Sequence, residues 1–547
     1  MKKTILITFL FAFASANIMA QGKENNNWFF GGNAGLTWNT LRSFQASVID
    51  TTKIIGYDAL ASKNDTTLML PTSIASSINT NEGCFSLSDF NTGKVLFYSD
   101  GINVWNQNNE VMPNGSGLSG SNSSAQSGII IPYPGAAKKY IAFTLGERDA
   151  NDLRYSVVDM NLEEGLGDVD LSQKNVSLTG AKGILGESLT AVRHKNKKDF
   201  WIIAVGRSES NGAPTYLNVW EVTSAGVNVV LHSDEVISGF NTFSQLANPN
   251  GYITFANDGS RFAYSNFDSP NAFVFGKFDN TIGEFTYIKQ KNRNYSYYYG
   301  YGYGVEFSKS GKYLYLSFVP AGKGGNYGSS LYVYDFDELL AASDPANVSR
   351  VNRFYLHNGT TSSLPADGTN GHFGSLAMGS DGYIYATDFY TRNMYVIINP
   401  EKPQAIKMYK LENFLAEGSE GRWGLPTFTA PYFRVEILAP VAPLCMDDKR
   451  DYEFRIIGGI GIDDVEKIVF NFGDGKPSSI ITLNAPIKAE NIIAQYSYKY
   501  PGTYNITAKV YAADGNEITS SATSTTVTIN SCHIKVNPHI RSIYEGN

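Results

Sequence analysis

Residues 81–113, NEGCFSLSDFNTGKVLFYSDGINVWNQNNEVMP, decide how the rest of the chain is read. Phe85 and Leu87 alternate with serines, Asn91-Thr92-Gly93 offers a turn, and Lys94–Asp100 resumes as a second strand. Asp100-Gly101 turns the chain again into Ile102–Asn106. Alternation with period two gives each strand one apolar face, and Asn/Asp-Gly pairs favour tight hairpins. A single unit of this kind cannot bury its own apolar face, so copies must stack against it.

Working outward, the copies are GIIIPYPGAAKKYIAFTL (128–145), LTAVRHKNKKDFWIIAVG (189–206), YITFANDGSRFAYSNF (252–267), VEFSKSGKYLYLSFV (305–319) and LAMGSDGYIYATDF (376–389). Most are followed by one further strand, and the spacing of roughly 45 to 70 residues suits large propeller blades. A seventh unit can be assembled from WFFGGNAGLTW (28–38) and RWGLPTFTAPYFRVEIL (422–438), which would close the ring with strands from both ends. The expected architecture is all-β: a β-propeller over residues 25–436, seven-bladed. DELLAASDP (337–345) and KLENFLAEG (410–418) are the short helix candidates, placed in inter-strand loops.

The ends have a different character. Residues 1–20, MKKTILITFLFAFASANIMA, combine a basic start, a short apolar run and small residues, the pattern of a secretory signal peptide. No later stretch is long and apolar enough to span a bilayer. Near Pro440 a proline-bearing linker leads into a second module over 441–531, with strands at sandwich spacing, and a tail at 532–547. Tyrosine (34) and phenylalanine (32) are abundant, as strands favour, and the 52 glycines suit many turns. A net charge of −7 gives no basic footprint for nucleic acid.

The pair FNFGDG and YKYPGTYNITAKVY resembles the PKD domain, an immunoglobulin-like sandwich, through Phe472, Gly473, Asp474 and Gly475, then Tyr500, Pro501, Gly502 and Tyr504. WFFGGNAGLTWN together with SDGINVWN and VMPNG is similar to a family of exported propeller-plus-PKD proteins common in Bacteroidetes. That resemblance implies a cell-surface or secreted protein, often cargo of the type IX secretion system. Only HIKVNPHIRSIYEGN follows Cys532, too short for the sorting domain that many members carry. The expected location is therefore exported: cell surface, periplasm or outer-membrane association, or medium.

Candidate chemistry is sparse. Cys445 and Cys532 bracket the second module, and a disulfide between them would close a long loop in an exported chain. Cys84 reads as a small buried hydrophobe. The histidines show no HxH or HExxH spacing, and no GxSxG elbow or phosphate-binding glycine loop occurs. Asp463, Asp464, Asp474 and Asp514 offer oxygens for calcium, against their reading as ordinary turn aspartates; no cofactor is expected. KNRNYSYYYGYGYG (291–304) stands out. Asn292, Arg293, Asn294, Tyr295, Tyr297, Tyr298, Tyr299 and Tyr301 would make a stacking surface for a glycan or protein, or else pack between blades. NGSGLSGSNSSAQSG (114–128) reads as a polar loop, flexible or ordered as a rim.

With no catalytic motif in hand, the expectation is a non-enzymatic exported binding or adhesion protein whose partner is a protein or polysaccharide of the cell envelope. Two alternatives stand beside it. One is a structural or accessory component of the envelope or type IX secretion apparatus. The other is a carbohydrate-active hydrolase or lyase, which clustered acids with raised pKa values at the channel mouth would favour.

Overall fold

The computed structural model describes residues 23–49, 66–89, 92–147, 152–196, 198–207, 215–236, 250–265, 273–291, 301–319, 329–355, 373–402, 405–430, 434–438, 444–457, 465–485, 487, 492–511 and 523–532. The chain is almost all β and divides into two compact units, one over 21–433 and the other over 434–457 and the residues from 461 onward.

In the first unit the repeats become small antiparallel sheets. The first sheet joins Phe85–Ser88, Val95–Ser99, Asn103–Asn106 and Val111–Ser116 in sequence order. Its turns form as the residues dictate. The Asp89 carboxylate accepts from Thr92 N–H at 2.7 Å, and the Asp100 carboxylate accepts from the N–H groups of Ile102 and Asn103. The second sheet starts at Gly128–Pro132, the third at Ile184–Arg193, the fourth at Ile253–Phe255, the fifth at Tyr301–Phe307 and the sixth at Phe373–Met378.

Apolar clusters link the sheets in a circuit. Phe97, Met112 and Ile130 join the first to the second, and Phe143, Leu189 and Trp220 join the second to the third. Ile203, Phe255 and Phe262 join third to fourth; Phe275, Leu316 and Tyr332 join fourth to fifth; Leu331, Tyr315 and Ile397 join fifth to sixth. The circuit returns to the first sheet through an N-terminal sheet of Asn27–Phe30, Gly32–Val48 and Thr66–Asn79. Its Trp28 and Trp38 pack with Tyr385 of the sixth sheet, while Phe29 stacks on Tyr98 of the first at 4.1 Å. This is a β-propeller-like arrangement, each sheet burying the face its neighbour leaves open.

Two expectations are corrected here. Among the described residues, 422–430 add no strand to the closing sheet: its strands Asn27–Phe30, Gly32–Val48 and Thr66–Asn79 are N-terminal, and they join the sixth sheet where Ser47 and Val48 pair with Lys410 and Tyr409. Residues 420–430 form isolated bridges instead, at Gly32, Phe85, Val192 and Thr391. Pro426 lacks the N–H a ladder needs, and the remaining donors and acceptors are divided among several sheets. Second, 410–418 is not a helix. Lys410 and Leu411 finish the strand Lys407–Leu411, Asn413 takes φ +54°, and Phe414 is held against Phe44 at 4.9 Å. The other candidate does form: Phe336–Ala341 is α-helical, capped by the Asp335 carboxylate, which accepts from Asp337 and Glu338 N–H.

The second unit has two sheets. Arg434–Leu438, Arg450–Ile457 and Ile493–Tyr496 form one; Leu444–Cys445, Thr523–Asn530, Gly502–Tyr511, Lys467–Asn471 and Ile480–Asn484 form the other. Rings bridge them: Phe454 stacks on Phe470 at 3.6 Å, and Phe472 on Tyr496 at 4.3 Å. Gly473 sits at φ +77°, where a Cβ would meet the Asn505 carbonyl oxygen at 2.3 Å. Beyond it the Asp474 carboxylate accepts from the Tyr496 hydroxyl at 2.7 Å, and Tyr498 donates to the Phe472 carbonyl at 2.9 Å. Tyr504 donates to the carbonyl of Tyr500, whose own side chain is exposed. Cys445 and Cys532 are joined by a disulfide.

Candidate functional site

The first strands of the sheets converge on the segment 420–430. Trp423 N–H donates to Asn81 O and Trp423 O accepts from Ser375 N–H; Thr427 N–H donates to Cys84 O, and Ala430 N–H to Ala191 O. The Thr429 hydroxyl donates to Ile130 O. The segment thus touches the leading edges of the first, second, third and sixth sheets and fills the space between them. Cavities open beside it. One, of about 80 Å3, is lined by Gln126, Tyr252, Glu306, Thr427 and Phe428 among others. Another, of about 230 Å3, is lined by Glu82, Glu147, Glu187, Asn250, Tyr303 and Trp423, with Ser123 and Ala125.

The larger cavity is built by irregularities in otherwise regular strands. The first strand of the third sheet shifts register between Leu185 and Leu189, which places Glu187 in a bulge. The first strand of the fifth sheet shifts between Gly302 and Val305, placing Tyr303 likewise, and that of the sixth shifts between Phe373 and Leu376, at Ser375. Bulges re-aim side chains, and here they do so at the leading strands of three sheets. The polar loop 114–128 is ordered along its later part. Asn122 O accepts from Asn81 and Glu82 N–H, and Ala125 N–H donates to Glu187 Oε2 at 3.0 Å.

Electrostatics act on Glu82. Burial first, then the charge of Glu187, with a smaller push from Glu147, raise the Glu82 pKa to about 8; the Tyr303 hydroxyl, interacting with it, offsets a part. Glu187 is 4 % exposed and keeps its backbone donor. Glu147 lies exposed at the mouth, where its carboxylate accepts from the Ser121 hydroxyl at 3.2 Å. Trp423 and Tyr303 form an aromatic wall, their rings 5.4 Å apart at 65°. Glu306, beside the smaller cavity, is raised to about 7 by burial although Phe307 and Met378 N–H groups donate to its carboxylate.

The sequence-derived candidates fall elsewhere. Asn292, Arg293, Asn294, Tyr295, Tyr297, Tyr298 and Tyr299 lie outside the described residues, and Tyr301 opens the strand Tyr301–Phe307. Among the described residues of that tyrosine-rich stretch, Tyr303 reaches the cavity. Asp463, Asp464 and Asp514 are also outside the described residues, while Asp474 is engaged by Tyr496 and Lys476. Among the described residues no group of three or more His, Cys, Asp or Glu is placed to hold a metal ion, and no helix is long and apolar enough to cross a membrane. His194 stacks on Trp201 at 4.9 Å, and burial lowers its pKa. Cys84 is fully buried, its thiol pushed up by burial and by Asp100. Glu82, Glu147, Glu187 and Trp423 were not legible as a site. A usable signal is glycine beside an acid at a leading strand, as in Glu82-Gly83 and Gly186-Glu187.

No family model matches the chain, and no curated protein matches it. Among solved structures it is similar to a GH43 β-1,3-galactosidase, with 8% identity over 55% of this chain and 92% of the other, at a TM-score of 0.29. A Lactobacillus brevis α-L-arabinofuranosidase gives 11% over 56% and 94%, at 0.28. The extracellular domain of a hybrid two-component system from B. thetaiotaomicron gives 11% over 92% and 55%, at 0.27. Likenesses this distant assign no activity to the chain. The expectation of a non-enzymatic binding or adhesion protein is nevertheless corrected. It rested on finding no catalytic motif, and the cavity brings together Glu82, Glu147 and Glu187 with a raised pKa at Glu82, the feature named above as favouring a hydrolase or lyase.

Proposed function

We propose that the chain is an exported carbohydrate-active hydrolase acting through the 230 Å3 cavity. The observation that carries this reading is one cavity uniting Glu82, whose pKa is raised to about 8, with the buried carboxyl of Glu187 and an aromatic wall. Glu82, with a pKa of about 8, holds its proton at neutral pH and serves as general acid toward the leaving oxygen of a glycosidic bond. Glu187, fixed by the Ala125 N–H, serves as the anionic partner, either activating a water or attacking the anomeric carbon. The two roles sustain one another: the negative charge on Glu187 keeps the proton on Glu82. The half-buried Trp423 presents its ring to the apolar face of a sugar, and the buried Tyr303 supports it edge to face.

The same reading takes the N-terminal sheet as the seventh blade and the second unit as a PKD-like, immunoglobulin-type module. Residues 1–20 direct export, as the resemblance to exported propeller-plus-PKD proteins implies.

The test is hydrolysis of a panel of neutral oligosaccharides and 4-nitrophenyl glycosides by the full chain, read as released reducing sugar or nitrophenol. Glu82→Gln and Glu187→Gln should each lower turnover by about 10²–10⁴. An unsubstituted protein that hydrolyses nothing across the panel overturns the proposal.

A further inference from the structure

The aromatic wall does not end inside the cavity. The Trp423 ring meets Phe389 at 4.2 Å and 62°, and Phe389 meets Tyr390 at 4.3 Å and 57°. Trp423 and Phe389 are half-buried, whereas Tyr390 is 45% exposed. The run of rings therefore leads from the carboxyl groups to the surface. Tyr390 takes φ +53°, uncommon for a bulky residue, and is held there by its N–H donating to Gly421 O at 2.8 Å. Polar groups flank the rings. The Arg422 guanidinium lies 5.8 Å over Tyr390 and donates to the Glu420 carboxylate and to Asn81 Oδ1, the residue next to Glu82.

Exposure and backbone strain alone do not make this a site. Tyr287 is more exposed, at 69%, and also has a positive φ of 52°, yet it contacts Lys277 and lines neither cavity described above. What sets Tyr390 apart is an unbroken path of ring contacts into the acidic cavity.

We infer that Phe389, Tyr390 and Arg422 form a second sugar subsite, continuous with the cavity, that takes the neighbouring unit of a neutral oligosaccharide. The inference rests on the hydrolase reading. A sugar's C–H face stacks on an exposed ring, while Arg422 and the Asn81 amide offer hydrogen bonds to hydroxyls. Neutrality follows from charge: the carboxylates of Glu147 and Glu187 repel a uronate entering the cavity, and Arg422 already has a carboxylate partner in Glu420.

The experiment uses the full chain carrying Glu82→Gln, so that bound sugars persist. Neutral gluco-, galacto- and arabino-configured saccharides of one to four units are screened on an array, and the best series is titrated by calorimetry. Affinity should rise from one unit to two. Adding Tyr390→Ala should cut the two-unit to one-unit affinity ratio by about two- to tenfold. Tyr390→Phe and the distant Tyr287→Ala should preserve it. A two-unit sugar that binds no better than one unit, or a ratio unmoved by Tyr390→Ala, overturns the subsite. The hydrolase reading survives that result if the unsubstituted chain still cleaves aryl glycosides. No saccharide bound and no glycoside cleaved overturns both.

Discussion

Replacing Glu82 by glutamine should change how the first unit's stability depends on pH. The carboxyl's ordinary pKa is 4.5 and its folded value is about 8. Between those values the folded chain holds a proton that the unfolded chain releases, so stability falls as pH rises through this window. Below about 4.5 the group contributes no penalty; above about 8 the penalty is complete. At about 1.36 kcal/mol per unit the full shift would be worth ~5 kcal/mol, an upper bound. Glu82 is partly open to solvent at the mouth, and screening reduces the figure to on the order of 2 kcal/mol. Glutamine keeps the shape and removes the titration. The assay is thermal unfolding of both proteins at half-unit steps from pH 4.5 to 9, followed by a signal from the first unit. The gap in midpoint should open in favour of Glu82→Gln as pH rises and stop widening near 8. Parallel curves across the whole range would refute the claim that burial and Glu187 hold a proton on Glu82.

Other consequences follow from the same contacts. In the hydrolysis assay, the high-pH limb of the rate profile should fall near pH 8, where Glu82 loses its proton, and a profile flat to pH 9.5 would remove Glu82 from the acid role. Gly424→Ala would place a Cβ 1.6 Å from the Glu82 carbonyl oxygen, so the segment must move away; we expect loss of turnover with the second unit's unfolding unchanged, read by activity and calorimetry together. Reducing the Cys445–Cys532 disulfide, whose cysteines are separated by 87 positions, should destabilise the second unit by about 2–4 kcal/mol in denaturant titration, with little effect on the first. Gly473→Ala should cost that unit about 1–3 kcal/mol, since φ +77° and the Asn505 carbonyl both oppose a side chain.

What the sequence determined by itself is whatever depends on neighbours in the chain. Period-two alternation in Phe85–Ser88 and Val95–Ser99, with turn chemistry at Asp89 and Asp100, fixes strands and hairpins because those forces act over a few residues. The recurrence of that unit was legible for the same reason. So was the helix at Phe336–Ala341, where Asp335 caps the first turn. The candidate Lys410–Gly418 failed because Lys410 and Leu411 pair with Tyr395 and Met394 of the preceding strand, and Lys410 also pairs with Ser47 of the N-terminal sheet, far off in the chain.

Only the tertiary structure decided which ends close the circuit, where residues 420–430 lie, and which acids meet. Glu82, Glu147 and Glu187 come from three separate stretches, and two of the three sit at no motif. Register shifts at Leu185/Leu189 and Gly302/Val305 aim Glu187 and Tyr303 inward, and a bulge leaves hardly a mark on a sequence beyond a glycine. The proton on Glu82 is a property of the assembled cavity alone: a carboxyl group is ordinary in water, and only burial beside a second charge makes it an acid at neutral pH.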